Sequence, residues 1–536
     1  MKSVAYFCAE YALSDRLPIY SGGLGVLAGD IVQEAAQQGL PFTAVGLFYR
    51  RGYFHQYSLE DGQHERTSET DPFKAGLSLV QREGDTLLVE VPYLSGTLFI
   101  QAWHLAVGGN SLYLLDTDHW RNPPEWRGLT DSLYGGDATY RLSQEVILGI
   151  GGARLLKALN ITPEIYHINE GHAALLALEV AKESTVVFTN HTLVAAGNDV
   201  FDETLVRTVL ASYQGLEKGI AIALVNGRFS MTQLALASAK RSNAVSKVHA
   251  RQAKKIWPSY PLLPLTNGVF MPGWLAPEWQ LLFDQQLPSW RDNLNTPKFW
   301  RSIRSLPVKD LWERHMVLKS QMLDEVFARS GIRLDALSCT VVWARRFATY
   351  KRPTLLFSDL ERLKKLLFAE NPIQVIIAGK SHPADVEGKE LIRQVEHLAN
   401  FDLKHRVVFV DDYSITLAKT LVAGADVWLN TPTFGLEASG TSGIKAAANG
   451  VLQCTVPDGW AAEVDWSGLG FNLSAKDTER SLYEVLEKRV LPAFNKRTKE
   501  NIPEGWVKMM QESMGTIIPR FSTTRLLADY RTHLYR

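Results

Sequence analysis

Three segments of this 536-residue chain concentrate residues whose types and spacing suit anion and carbonyl chemistry. The first is Tyr20-Ser21-Gly22-Gly23-Leu24-Gly25, placed ahead of a helical pattern. Glycines there let backbone N–H groups approach an anion, and a helix N-terminus adds partial positive charge. The second is Trp343-Ala344-Arg345-Arg346-Phe347-Ala348-Thr349-Tyr350-Lys351-Arg352-Pro353, directly after an apolar run. Arginine binds phosphate oxygens bidentately and lysine adds a mobile point charge. Four cations at a strand's carboxyl end sit where ligands of α/β sheets usually bind. The third is Gly435-Leu436-Glu437-Ala438-Ser439-Gly440-Thr441-Ser442-Gly443-Ile444-Lys445, again a loop of small residues opening a helix. Lys445 has small, apolar neighbours; burial there would lower an amine pKa and suit Schiff-base chemistry. Strand-end polar groups form a fourth set: Asn169-Glu170-Gly171-His172, Thr189-Asn190-His191-Thr192 and Thr266-Asn267-Gly268. They can hydrogen-bond sugar hydroxyls or merely satisfy loop backbone. Taken singly, each segment also has a plainer reading, as a tight turn, a solvated basic loop or a snorkelling surface lysine. Asp411-Asp412 and His382 read as structural.

The elements that must position these groups alternate in type. Short apolar runs at 3–7, 42–47, 165–168 and 185–188 read as buried strands, with helical patterns between them. Leu24, Leu27, Ile31 and Ala35 fall at helical spacing, and Gly39 stops that helix. The second half repeats the pattern, with strands at 340–343, 374–378, 407–410 and 426–429 and helices at 355–368, 388–398 and 415–424. Such alternation predicts parallel sheets with right-handed crossovers, hence two doubly wound α/β domains. The Trp- and Pro-rich stretch 272–306 reads as the connection between them. Leu526, Leu527, Tyr530 and Leu534 give segment 522–535 one apolar face, with Ser522 as its cap.

Composition narrows the function classes. Lys+Arg and Asp+Glu both number 57, so the formal net charge is +0, which argues against a protein that binds nucleic acid by phosphate neutralisation. No apolar run reaches the length of a membrane span, and Glu10 and Asp15 interrupt the start too early for a secretory signal. Cys8, Cys339 and Cys454 are odd in number and far apart, which predicts neither disulfides nor a metal site. The expectation is a cytoplasmic enzyme.

Taken together and in order, the motifs resemble the α-glucan (glycogen, starch, maltodextrin) phosphorylases, in particular their shorter bacterial and archaeal branch. Y-S-G-G-L-G-V-L-A-G-D with G-L-F-Y-R-R-G-Y-F-H-Q, T-N-H-T, T-N-G with Trp274 downstream, and E-A-S-G-T-S-G-I-K carry the resemblance, from about Val4 to Tyr535. The resemblance implies the GT-B glycosyltransferase fold, two Rossmann-like domains facing a central cleft. The domains would be 1–275 and 276–519, with a C-terminal helix, 520–536, crossing back to the first. It implies reversible phosphorolysis of α-1,4-glucan by inorganic phosphate to α-glucose 1-phosphate, with pyridoxal 5′-phosphate as cofactor. Partners would be the glucan and phosphate, with no nucleic acid or membrane, and a homodimer is compatible.

Residue by residue, Lys445 matches the lysine that forms the Schiff base with the cofactor. Arg345 stands where the family usually has a lysine near the cofactor phosphate, and Thr441 and Ser442 lie in the loop holding that phosphate. Arg346 and Lys351 match the cations that bind substrate phosphate; Gly23, flanked by Gly22 and Leu24, supplies a backbone N–H. Asn267, Glu437 and the Ala438–Ser439–Gly440 backbone match glucose hydroxyl ligands, His191 the histidine lining the sugar subsite, and Tyr350 the tyrosine beside the phosphate cations. Ser414 replaces an arginine that supports the cofactor phosphate in many relatives, and Ala348 replaces a histidine. Two other readings are a nucleotide-sugar-dependent glucan synthase of the same fold and a non-catalytic glucan-binding relative.

Overall fold

A computed structural model describes residues 2–59, 62–181, 184–193 and 197–536. The chain forms two compact units. Unit 1 comprises Met1–Phe54, Thr67–Thr266 and Leu527–Arg536; unit 2 comprises His55–Arg66 and Asn267–Leu526.

The ten strands of the unit 1 sheet are β1 (Val4–Phe7), β2 (Phe42–Leu47), β3 (Ser78–Leu79), β4 (Val89–Tyr93), β5 (Gly96–Val107), β6 (Asn110–Asp116), β7 (Ile165–Asn169), β8 (Thr185–Asn190), β9 (Arg241–Ala244) and β10 (Leu262–Pro264). Their order is β10-β9-β8-β7-β1-β2-β6-β5-β3, with β4 also on β5. Pairing is parallel from β10 to β6 and antiparallel beyond it. The order reverses between β1 and β7, so the loops after these two strands open the crevice where open α/β sheets bind ligands. β1 is buried along its whole length, as a central parallel strand requires. Helix α1 (Gly23–Gln37) follows it and buries Leu27, Ile31 and Ala35 at the spacing read from the sequence. Gly39 ends it in the left-handed region (φ 63).

The six strands of unit 2 are β11 (Cys339–Ala344), β12 (Ile373–Ala378), β13 (Val407–Val410), β14 (Val427–Asn430), β15 (Leu452–Thr455) and β16 (Gly470–Asn472). They are all parallel in the order β13-β12-β11-β14-β15-β16, the 3-2-1-4-5-6 sequence of a doubly wound nucleotide-binding sheet. The reversal falls between β11 and β14. The cation loop follows the first strand and the Glu437–Lys445 segment follows the second. Beneath the sheet, α2 (Val308–Ser330) carries His315 and Lys319, whose Nε2 and Nζ meet the Asp426 carboxylate at 2.8 and 2.5 Å, all three fully buried. Helix α3 (Ile415–Gly424) follows β13 and α4 (Thr441–Ala448) follows β14.

Several sequence expectations are corrected here. The stretch 272–306 is not a connection: it folds inside unit 2 as short helices, because Trp274, Trp279, Trp290 and Trp300 are buried and form part of its core. The units divide after Thr266 rather than after 275, and the hairpin His55–Arg66 belongs to unit 2. At the tail, residues from Leu527 rather than from 520 belong to unit 1. Ser522 does cap the tail helix, accepting from the Arg525 N–H at 3.1 Å, and Leu526, Leu527, Tyr530 and Leu534 are buried. A buried relay ties the tail to the unit 1 sheet. Thr189 Oγ1 donates to Asn243 Oδ1 at 2.6 Å, so it accepts from His167 Nε2 at 2.7 Å, and His167 Nδ1 accepts from the Tyr535 hydroxyl at 2.8 Å. Burial holds that imidazole neutral, its pKa lowered to about 3. Among the described residues all three cysteines are free and buried, and no helix is long and apolar enough to cross a membrane.

Candidate active site

In unit 2, Lys445 lies on α4 and is only 5% exposed. Its Nζ stands 3.9 Å from the centroid of the Trp274 ring and 3.5 Å from Thr441 Oγ1, one helical turn back. Asn449 fixes this pairing: its Nδ2 donates to the carbonyls of Trp274 and Lys445 at 2.9 Å, and its Oδ1 accepts from the Ala276 N–H at 2.8 Å. The amine is therefore held on a rigid helix against a flat aromatic face.

The cation loop is laced to the loop after β14. Arg352, left-handed at φ 50, donates to the carbonyls of Thr431 and Pro432 at 2.8 and 2.9 Å, and the Thr433 N–H donates to the Tyr350 carbonyl at 2.7 Å. Lys351 Nζ meets Glu437 Oε2 at 2.5 Å. Burial disfavours the ammonium, but the Glu437 carboxylate outweighs it, so the Lys351 pKa ends above the ordinary lysine value. Arg345 is buried, donating to Asn430 Oδ1 and to the Leu429 carbonyl. Burial draws its pKa down, and Glu437 partly offsets this. Arg346 is exposed and Tyr350 half-buried.

Asp458 escaped the sequence reading. It is fully buried and gathers the Gly435, Glu437 and Gly459 N–H groups at 2.8, 3.1 and 2.8 Å, fixing the loop that carries Glu437. A Cβ on Gly459 would lie 2.4 Å from the Ser439 carbonyl, so only glycine lets this turn back the loop. The Pro457-Asp458-Gly459 turn at the end of β15 was the available signal. Ser414 caps α3, accepting from the Leu417 N–H at 3.3 Å, which is its structural role in place of an arginine.

The fit of a phosphate-bearing cofactor and a sugar is tested by orphaned polar atoms. Arg345 Nε, Ser439 Oγ and Asn267 Oδ1 are buried without a hydrogen-bond partner, a costly state unless a ligand supplies one. Gly440, left-handed at φ 82, opens α4 with no side-chain cap, leaving Thr441 and Ser442 in a first turn of unsatisfied N–H groups. The donor set suits a phosphate and hydroxyls, and Lys445 suits an aldehyde.

In unit 1, Gly22, Gly23 and Leu24 start α1. Glu10 Oε2 accepts from the Ser21 N–H at 2.7 Å and the Gly22 N–H at 3.3 Å, so an internal carboxylate already holds two donors of the glycine loop. The glycines have different reasons. A Cβ on Gly25 would strike Glu10 Cβ at 2.8 Å, whereas on Gly22 or Gly23 it would meet nothing within 4 Å. Gly25 permits the close approach of Glu10, and Gly22 and Gly23 leave open space for a ligand.

His191 follows β8. Asn169 Nδ2 donates to Cys8 Sγ, so its Oδ1 accepts from His191 Nε2 at 2.7 Å and Nδ1 is left as an acceptor. Burial lowers the His191 pKa to about 3, so the ring is neutral. Glu170 Oε2 accepts from the His191 N–H at 2.8 Å, and Glu170 itself sits at φ 70, a strain its neighbours must hold. Burial pushes its pKa from 4.5 up to about 7, against the His191 and Gly171 N–H groups. Between these values the native state keeps a proton that the unfolded chain has lost. Stability is therefore expected to fall as pH rises across that window, and Glu170→Gln to flatten the slope. Denaturant unfolding at about pH 5 and about pH 7.5 measures it; an unchanged slope in the variant rules Glu170 out as the source.

A family model described as carbohydrate phosphorylase matches residues 194–467, and one described as starch synthase catalytic domain matches residues 3–258. The chain is 38% identical to the maltodextrin phosphorylase of Thermococcus litoralis, over 99% of this chain and 70% of that one. It is 36% identical to the glycogen phosphorylase of Mycobacterium tuberculosis over the same shares. An uncharacterized protein of Methanocaldococcus jannaschii is 29% identical over 100% of both chains.

Proposed function

The chain belongs to the carbohydrate phosphorylase family, and we propose that it phosphorolyses α-1,4-glucans, releasing α-glucose 1-phosphate from non-reducing ends reversibly and with retention. The observation that carries this reading is Lys445, buried against Trp274 on the helix that follows the Glu437 loop, with Glu437 itself ion-paired to Lys351 of the β11 loop. Lys445 Nζ would hold pyridoxal phosphate, with Arg345, Thr441, Ser442 and the first turn of α4 around its phosphate. When bound, that cofactor supplies a phosphate group able to exchange a proton with substrate phosphate.

The chain's own residues do the rest. Lys351 and Arg346 bind the substrate phosphate and offset the repulsion between two phosphates; in unit 1 the Gly23 N–H at the start of α1 is an anion donor of its own. Glu437 accepts from a glucose hydroxyl and Asn267 bonds another, while Ala438, Ser439 and Gly440 offer backbone groups. His191, being neutral, offers a hydrogen bond rather than a charge to the sugar. Tyr350 packs beside Lys351, whose Nζ lies 4.8 Å from its ring centroid. Glu437 occupies the Lys351 ammonium, so phosphate binding would have to share that cation.

The starch synthase match favours a second reading, a nucleotide-sugar-dependent synthase. Such an enzyme needs no lysine at 445. Incubating the protein with maltodextrin and phosphate, and following glucose 1-phosphate, tests the first reading; activity only with a nucleotide sugar would establish the second. Within the first, Lys351→Ala should raise the KM for phosphate by the value of a charge-assisted contact, about 1.5–3 kcal/mol or roughly 10- to 150-fold. The KM for glucan should move far less. Equal damage to both would assign Lys351 to holding Glu437 alone.

A further inference from the structure

At the amino end of the unit 1 sheet, opposite the ligand-binding loops, a cavity of about 280 Å³ opens between β1, the turn before β2 and the tail. Every residue lining it belongs to unit 1. Register builds its floor: Val4 and Phe42 are directly paired on neighbouring parallel strands, so their side chains stand together on one face. Leu40 and Pro41 form one wall, fixed where Gly39 turns the chain and where the Val4 N–H donates to the Pro41 carbonyl at 3.0 Å. The tail forms the other. Leu527, Arg531 and Tyr535 recur at four-residue spacing along the helical tail, and all three line the cavity. Three cations stand at its rim, the exposed side chains of Lys2, Arg531 and Arg536. Arg241 anchors the last of these, donating to the Arg536 main-chain oxygen at 2.6 Å. Among the described residues none of the three cationic side chains is ion-paired, and no acidic side chain lines the cavity.

We propose that this cavity binds a medium-chain fatty acid, its chain in the apolar hollow and its carboxylate among the three cations. The two halves of the site match the two halves of such a molecule. The side chains of Val4, Leu40, Pro41, Phe42 and Leu527 offer only hydrocarbon, and the Tyr535 hydroxyl is already committed to His167 Nδ1 at 2.8 Å. A heterocycle or a sugar would leave its own polar groups unpaired there, whereas an aliphatic chain has none to satisfy. At the mouth Arg531 can grip a carboxylate bidentately, and Lys2 and Arg536 add charge of the same sign. The volume lies at the small end of ligand clefts, which run from roughly 300 to 1,000 Å³, and so suits a short chain better than a full-length lipid. Binding would fasten the tail to the sheet, because the ligand touches Val4 and Phe42 on one side and Leu527 and Tyr535 on the other. A ligand that binds only the docked tail stabilises that docking by mass action. The site is separate from the loops assigned to phosphate, sugar and cofactor, and it stands whether or not the chain is a phosphorylase.

Calorimetric titration of the full chain, carrying no tag at either end, with sodium octanoate below its micellar range tests this. One octanoate should bind per chain, and hexanoate roughly tenfold more weakly, since each buried CH₂ is worth about fourfold. Octanol, which lacks the charge, should bind about threefold to tenfold more weakly than octanoate. Arg531→Glu, a change at an exposed position, should weaken octanoate by about tenfold and leave octanol unchanged. Arg531→Lys should keep most of the affinity, and Leu40→Trp, which fills the hollow with an indole, should remove binding of both ligands. Denaturant midpoints without ligand establish that the variants fold. Hydrogen exchange should slow across residues 527–535 when octanoate is bound. Absence of saturable octanoate binding in the parent overturns the site, as does parental affinity in both Arg531→Glu and Leu40→Trp. Equal affinity for octanol and octanoate overturns it too, since the hollow would then be an apolar surface without preference for an anion. Protection confined to segments other than the tail and the β1–β2 edge would place the ligand elsewhere and remove the inference.

Discussion

Lys445→Ala is expected to abolish phosphorolysis and covalent uptake of pyridoxal phosphate while leaving the protein folded. The native amine sits on a helix pinned at both ends, by the left-handed Gly440 at its start and Asn449 at its close, so the backbone has little reason to move. What is lost is the ammonium 3.9 Å from the Trp274 centroid, a cation–π contact worth about 0.5–2 kcal/mol, too little to unfold a domain. Lys445→Arg is the informative companion, since it keeps a cation over Trp274 and cannot condense with an aldehyde. Absorbance between 300 and 420 nm on titration with pyridoxal phosphate, before and after borohydride, separates binding from covalent attachment. More than trace turnover in Lys445→Ala freed of cofactor would remove Lys445 from the mechanism.

The second large effect concerns stability. Lys319→Ala leaves Asp426 buried with only His315, and breaking one side of a buried pair costs about 3–5 kcal/mol, a large part of a typical stability of about 5–15 kcal/mol. Asp426 also holds the Thr340 N–H at 2.7 Å, so the loss falls where β11 and β14 begin. Denaturant midpoints measure it. The double variant Lys319→Met with Asp426→Asn should recover most of the loss, because a neutral pair has no uncompensated charge. Burial alone would raise the Asp426 pKa, but Lys319 and His315 bring it below the ordinary carboxylate value. Its contribution is therefore present above the unfolded pKa and lost as pH falls through the folded one. A Lys319→Ala midpoint matching the parent would mean that water or another cation reaches Asp426.

Much of this was legible from residue order. Parallel sheets follow from alternating apolar runs and helical patterns, and the strands named at 42–47 and 407–410 match to the residue. The glycine loop, the cation loop and Lys445 each have a plainer reading alone, and it is their order along the chain, shared with one family, that singles them out. The stretch 272–306 was misread because proline and tryptophan signal both linkers and irregular cores, and only the burial of four indoles decides between them. Asp458, Glu10 and Asn449 were missed for a different reason. Each acts through backbone N–H and carbonyl groups far away in sequence, and no local pattern encodes such partners. Ser414, noted as a missing arginine, is a helix cap, a role that a single polar residue before an apolar run does suggest.

The division of the chain bears on its synthesis. Unit 1 takes its first strand from residues 4–7 and its last segment from residues 527–536, with unit 2 encoded between. The Tyr535 hydroxyl that closes the His167–Thr189–Asn243 relay emerges from the ribosome only after the whole Asn267–Leu526 segment of unit 2. Domains ordinarily fold in the order in which they are made. Here unit 1 is completed only after the Asn267–Leu526 segment of unit 2 has been made, so a nascent chain carries the faces of Tyr6 and His167 uncovered until residues 530–535 arrive. A pause or cleavage near residue 520 would therefore damage the unit whose sequence appears long finished, exposing its sheet to chaperones or to aggregation.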